Sequence, residues 1–173
     1  MKIYESRYKL GNVLPNIASM LRQNAGLYAN KMLVQEKVNG TYRSLTWKQF
    51  YNDIINIAYN LRRFGFSDGD KLLIFSKNRI EMLEIELALM ASGGIAVPIF
   101  FNYNAEIAES LIAESDSVFI AAGDEKQLSR LSPDLKVKHF FVFDEVKDDR
   151  FSNLTNFSEL LKESSPGSEN VLK

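Results

Sequence analysis

The stretch LALMASGGIAVPIF, residues 87–100, runs from an apolar helical segment into an apolar extended segment, with only Ser92, Gly93 and Gly94 between them. A dinucleotide-binding loop has the opposite order, because its glycines follow a strand and open a helix whose N-terminal amides face the phosphates. The C-terminal end of a helix carries the negative end of the helix dipole, which repels phosphate. We therefore predict that Gly93 ends the helix and that Gly94 lets helix and strand pack closely.

The same alternation continues on both sides of this stretch. Helical segments separate four short apolar runs, which are KLLIFS, GIAVPIF, SVFIAA and HFFVFDE. Strands that are apolar throughout and alternate with helices are typical of a parallel sheet covered on both faces. With right-handed crossovers, this pattern predicts an α/β fold built as a three-layer doubly wound parallel sheet.

The N-terminal part predicts a β-hairpin ahead of this sheet, at residues 31–45. Two extended runs flank Asn39-Gly40, a pair that favours the tight two-residue turn of a hairpin. Thr46 and Gln49 then have the spacing of a capping box at the start of an amphipathic helix. Residues 1–145 are thus expected to form one α/β subdomain. Residues 146–173 are polar and predict a linker with a partial helix.

Composition excludes several kinds of site. The chain has 21 Lys and Arg against 22 Asp and Glu, so its net charge of −1 gives no overall field for nucleic acid or an anionic membrane. It has no cysteine and one histidine, which excludes disulfides and cysteine metal sites. The longest apolar stretch, residues 85–101, is broken by Gly and Pro and is too short to span a membrane. We expect no metal site and no transmembrane segment.

Candidate binding residues lie where the predicted strands end, since ligands of open α/β sheets bind at the carboxyl ends. These junctions lie at residues 76–78, 101–104 and 121–124, and none contains a glycine-rich phosphate loop. Asn78 and Asn104 are predicted to cap the helices that follow. Glu81 and Glu84 fall in the first half of one helix, where we expect solvated acids that favour the dipole. The substrate-facing segment is predicted at Phe100, Phe101, Asn102 and Tyr103, and no residue is assigned a catalytic role.

Three segments in order resemble the acyl-adenylate-forming, AMP-binding enzymes, most closely the long-chain fatty acid–CoA ligases. SLTWKQF resembles the first core motif of that family. LALMASGGIAVPIFFNYN resembles its second, and AEIAESLIAESDSVFIA resembles the helix and strand that follow. The resemblance covers residues 14–145 and implies the N-terminal subdomain of an AMP-forming ligase. It implies a reaction in which fatty acid, ATP and CoA give acyl-CoA, AMP and pyrophosphate.

The departures from the family limit what this chain is expected to do. The family's Ser/Thr/Gly-rich phosphate loop has no counterpart, since SSPGSEN lacks the threonines and the lysine. We therefore expect an inactive fragment that holds no cofactor, with ATP, Mg²⁺ and CoA used by the complete ligase. The alternative is a non-catalytic α/β module that binds an acyl group or a partner. A receiver-type signalling domain is disfavoured, because FSKN offers no acidic pair.

The resemblance also carries expectations about partners and location. The complete enzyme is expected to take small molecules and no nucleic acid, and the isolated chain is expected to self-associate through exposed sheet edges. The expected location is cytoplasmic, with peripheral contact with a membrane as an option.

Overall fold

A computed structural model describes residues 4–8, 11 and 13–173. Fourteen elements follow one another in the described part: α1 (Ile17–Leu27), β1 (Met32–Val38), β2 (Thr41–Thr46), α2 (Trp47–Arg63), β3 (Lys71–Phe75), α3 (Ile80–Ala91), β4 (Ile95–Ile99), α4 (Ala105–Ser115), β5 (Phe119–Ala122), α5 (Glu125–Leu128), β6 (His139–Val142), β7 (Leu154–Asn156), and two 3₁₀ turns, Phe157–Glu159 and Ser168–Val171. No helix in this described part is long and apolar enough to cross a membrane.

The main sheet has five parallel strands in the order β4-β3-β5-β6-β7. Alternate residues of the central strands face opposite sides of the sheet. One face packs under α1, α2 and α3 through side chains such as Leu72 and Phe119. The other packs under α4 and the short α5 through side chains such as Phe75 and Ile120. The predicted three-layer parallel sheet is thereby confirmed.

The hairpin forms where the sequence predicts it. β1 and β2 pair antiparallel around Asn39 and Gly40, which both have positive φ, 49° and 84°. The capping box is also present, because Gln49 N–H donates to Thr46 Oγ1 and the Thr46 N–H donates to the Gln49 side chain. The local signals in this part of the sequence therefore match the structure.

The double glycine acts at the helix end. Gly93 adopts φ 84°, and the Gly94 N–H donates to the Leu89 carbonyl, which closes the last turn of α3. A Cβ added at Gly94 would lie 2.4 Å from Cζ of Phe66, so that ring occupies the space a side chain would need. The prediction of a structural helix end is confirmed.

The tail differs from the expected linker. It supplies the fifth strand, β7, and it buries apolar side chains of Phe151, Phe157 and Leu160. Asn60 of α2 donates to the carbonyls of Leu160 and Lys162, at 3.0 and 2.9 Å. These buried apolar residues are separated by polar residues and follow neither helical nor strand periodicity. The sequence pattern therefore did not identify them as part of the core.

The free edge of β4 carries a built-in interruption. The Ile95 N–H donates to the carbonyl of Asp70, which lies just before β3. The backbone N–H and C=O groups of residues 95, 97 and 99 therefore face β3. Ala96 and Pro98 therefore present their backbone groups outward, and proline has no N–H to offer. Strand addition at this edge lacks a central donor.

Candidate functional site

The strand order places a crevice between β3 and β5. The chain leaves β3 through α3 on one face of the sheet and leaves β5 through α5 on the other. Such a switch point is where open α/β sheets bind ligands, outside the carboxyl ends of their strands. A cleft of about 430 Å³, within the size range of small-molecule sites, opens here between residues 76–79, 123–124 and the hairpin residues 36–39.

Close backbone contact forms the floor of this cleft. A Cβ added at Gly123 would lie 2.5 Å from Oγ of Ser76, and the Gly123 N–H donates to the carbonyl of Phe75 at 2.9 Å. Glycine at this position lets the two loops meet without a gap. The sequence predicts that the loops at Ser76 and Gly123 both follow strands, but only the order of the strands shows that these loops are neighbours.

The arginine of the cleft is already engaged. Arg79 donates to Glu81 at 2.7 Å, to Asp144 at 2.8 Å and to the Gly123 carbonyl at 3.1 Å. The Lys77 ammonium lies 5.7 Å from the ring centre of Phe101. A triphosphate is held by a run of backbone N–H groups in a glycine-rich strand-to-helix loop, and the described strand-to-helix junctions of the sheet contain one glycine, Gly123, so this cleft does not fit the phosphates of ATP. We derive no phosphate chemistry from this cleft.

The predicted substrate segment, Phe100, Phe101, Asn102 and Tyr103, leaves the carboxyl end of the outermost strand, β4. Ring centres of Phe100 and Phe101 lie 4.9 Å apart, and those of Phe100 and Tyr103 lie 5.7 Å apart. Phe100 is 55% exposed. Arg130 donates to the carbonyls of Phe101 and Tyr103, at 3.1 and 2.8 Å, which fixes the turn. The segment is therefore a rigid aromatic knuckle beside the cleft, joined to it by the Lys77 contact.

The acids on α3 correct the sequence interpretation, which placed them in solvent. Glu81 is 6% exposed and Glu84 1% exposed. Burial by itself would raise the pKa of Glu81, but hydrogen bonds from Arg79 and Arg43 outweigh it and lower that pKa. Arg79 lies at the start of α3, and Arg43 lies on β2. Local sequence spacing does not reveal the contact with Arg43.

The pKa of Glu84 shifts the opposite way, because the carboxyl is buried and Asp53 of α2 faces it. Burial, then the charges of Asp53 and Glu81, raise the pKa of Glu84 to about 8, while Arg43 acts in the other direction. Its Oε2 has no hydrogen-bond partner among the described residues. Burial also raises the pKa of Asp53. The raised pKa of Glu84 keeps its carboxyl protonated near neutral pH.

The start of α3 shows a second correction. Asn78 does not cap this helix; its N-cap residue is Arg79, which makes no side-chain cap. Instead the Ile80 N–H donates to the carboxylate of Glu36 on the hairpin, at 3.0 Å. Asn104 caps α4 as predicted, accepting from the Ile107 N–H at 3.0 Å. No group of three or more potential metal ligands occurs among residues 4–8, 11 and 13–173.

The model of the AMP-binding enzyme family matches residues 21–170. The chain belongs to this family. Among curated relatives, 4-hydroxybutyrate–CoA ligase 2 of Metallosphaera sedula is 36% identical over 99 residues, which are 56% of this chain and 18% of the relative. Long-chain-fatty-acid–CoA ligase FadD15 of Mycobacterium bovis is 27% identical over 107 residues, which are 62% of this chain and 18% of the relative. The chain thus matches about a fifth of the length of these AMP-binding relatives.

Solved structures of ligases share the fold. Acetoacetyl-CoA synthetase from Streptomyces lividans superposes with a TM-score of 0.76 at 16% identity, over 87% of this chain and 26% of that one. Coronafacic acid ligase from Pectobacterium brasiliense gives 0.75 at 20% identity, over 88% of this chain and 30% of that one. At these identities the likeness supports the architecture of the AMP-binding fold rather than any particular residue role.

Proposed function

We propose that this chain is the N-terminal part of an ATP-dependent, AMP-forming acyl-CoA synthetase that joins a fatty acid to CoA. The observation that carries the proposal is the family match over residues 21–170, in a chain that spans 18% of the length of its CoA-ligase relatives. ATP, Mg²⁺ and CoA would be substrates and cofactor of the complete enzyme, which would also hold the phosphate chemistry.

The chain by itself is proposed to be inactive. Acyl adenylation is charge stabilisation around phosphates by a loop, a metal ion and a cation. The described strand-to-helix junctions contain no glycine-rich loop, and the cleft arginine is held by Glu81 and Asp144. The chain's contribution is a sheet layer that forms one wall of the completed site.

The knuckle at residues 100–103 is proposed as the part of this wall that contacts substrate. Three aromatic rings form an apolar surface, and Arg130 holds their backbone in place. Rigid aromatic surface binds apolar chains without a large loss of side-chain entropy. The exposed Phe100 ring is the element we expect to touch the apolar portion of a substrate.

The proposal is tested first by the reading frame that encodes the chain. We expect it to continue past residue 173 into a Ser/Thr/Gly-rich loop that contains a lysine. A stop codon at that point would contradict the proposal and favour a non-catalytic module.

The substrate wall is tested in the complete enzyme. Phe100→Ala is expected to raise the KM for one substrate about tenfold with a smaller change in kcat, the signature of lost uniform binding. Tyr42→Ala, on the exposed hairpin tip, is the matched control because it also removes an exposed aromatic ring. If both variants had the same kcat and KM, residues 100–103 would not contact the substrate.

Self-association through sheet edges stays a prediction, and Pro98 argues against β4 as the contact. The other edge of the main sheet, β7, has only three residues, which leaves little backbone for strand pairing. Any self-association is therefore expected to be weak. Light scattering over a concentration series checks this, and a stable dimer at low concentration would contradict it.

A further inference from the structure

The near-zero net charge hides a strong segregation of charge along the chain. Residues 6–52 contain seven Lys and Arg and a single acid, Glu36, whereas the rest of the chain contains 14 Lys and Arg and 21 Asp and Glu. Charge asymmetry of this kind indicates interaction with an anionic surface or polymer. The overall balance of −1 would not show it.

Part of this basic segment forms one exposed corner, which we call the basic corner: Leu27, Tyr28, Lys31, Met32 and Lys48. The backbone brings its members together, because the Lys31 N–H donates to the Tyr28 carbonyl at 2.8 Å and the Lys48 N–H donates to the Ala29 carbonyl at 3.1 Å. The Lys31 ammonium lies 4.8 Å from the centre of the Tyr28 ring. The end of α1, the start of the hairpin and the start of α2 thus meet at one place.

The apolar side chains of the basic corner point into solvent. Leu27 is 63% exposed, Met32 58% and Tyr28 40%. Within the described residues, neither Lys31 nor Lys48 forms an ion pair. The exposure of two large aliphatic side chains beside two cations and a tyrosine is the combination found at membrane–water boundaries.

We propose that the basic corner docks on the surface of an anionic lipid bilayer. Lys31 and Lys48 would lie against lipid headgroups, while Leu27 and Met32 would enter the boundary between headgroups and acyl chains, with the Tyr28 ring at the interface. Nucleic acid is disfavoured, because two lysines give little contact with phosphates and the aliphatic side chains would gain nothing there. The proposal concerns binding and does not depend on the reaction proposed above.

Vesicle sedimentation of the 173-residue chain tests the proposal. The probes are vesicles of pure phosphatidylcholine and vesicles with about 30% phosphatidylglycerol, which supplies the negative surface potential. We expect binding to the second only, weakened as salt rises. Lys31→Ala with Lys48→Ala is expected to weaken it about 25-fold, or about fivefold for each lysine.

Two further variants complete the test. Lys126→Ala with Lys136→Ala removes the same charge from other exposed positions and should leave binding unchanged. Leu27→Ser with Met32→Ser should weaken binding about tenfold while circular dichroism stays unchanged. The proposal is overturned if anionic vesicles are not bound, or if both lysine pairs have equal effects. It is also overturned if the serine variant binds vesicles and heparin as the parent does, which would identify a general polyanion surface.

Discussion

Ionisation of Glu84 should make the stability of this domain fall as pH rises. The residue is 1% exposed between α2 and α3, and in the part of the chain that the structure describes one of its carboxyl oxygens has no hydrogen-bond partner. The groups that face it are Asp53 from α2, Arg43 from β2 and Glu81 from its own helix. Two of these three are acids, so a negative charge on Glu84 is poorly compensated. The perturbation we consider is Glu84→Gln, which keeps the size and stays neutral.

The sign and size follow from the pKa of Glu84 in the two states. Its pKa rises from 4.5 to about 8 on folding, so the folded protein holds a proton that the unfolded chain has lost between these values. The stability linked to this proton is present below pH 4.5 and is lost as pH rises toward 8. The full effect corresponds to about 5 kcal/mol, of which about 4 kcal/mol falls between about pH 5 and about pH 8.5.

Urea unfolding at a series of pH values measures this pH dependence of the free energy of unfolding. We expect the free energy of unfolding of the wild type to fall by about 4 kcal/mol relative to Glu84→Gln between about pH 5 and about pH 8.5. Glu86→Gln is the matched control, since Glu86 lies on the same helix but lines a separate groove between α3 and the hairpin residues 34–36. Parallel stability curves for wild type and Glu84→Gln, or a wild type that gains stability at high pH, would refute the reasoning.

Three further substitutions test the packing. Gly94→Ala should cost about 1 to 3 kcal/mol in urea unfolding, because the new Cβ would meet the Phe66 ring; the added change Phe66→Leu should recover part of that loss, and an unaltered midpoint for Gly94→Ala alone would contradict it. Asn60→Ala should cost about 1 to 3 kcal/mol and expose the tail to limited proteolysis, since two tail carbonyls lose their donor; an uncut tail would count against this anchor. Thr46→Ala should lower the unfolding free energy by about 1 kcal/mol by removing the capping box, and Thr46→Ser should restore most of it.

Much of the fold could be predicted because its signals are local. The apolar runs define the four strands predicted for the main sheet, the Asn39-Gly40 pair defines the hairpin turn, and Thr46 with Gln49 defines the start of α2. Each of these signals lies within a few residues of the structure it produces. The glycine pair was also readable, since its order relative to helix and strand is fixed by the chain.

What the sequence could not show depends on contacts between distant residues. Glu36 caps α3 from 44 residues away, so Asn78 was the natural but wrong choice. Glu81 is buried because Arg43 reaches it from the hairpin, across 38 residues. The crevice at the switch point required the order of the strands, which places β3 between β4 and β5. Local periodicity contains none of this information.

The most direct test of the account is ATP–pyrophosphate exchange by the 173-residue chain, with Mg²⁺ and a panel of fatty acids. The chain belongs to the AMP-binding enzyme family, and we propose that it forms a wall of the site without carrying the phosphate chemistry. We therefore expect no exchange above the blank for any acid, with circular dichroism confirming that the chain is folded. Exchange above the blank with any fatty acid would mean that these residues carry out adenylation themselves, and would contradict the central claim.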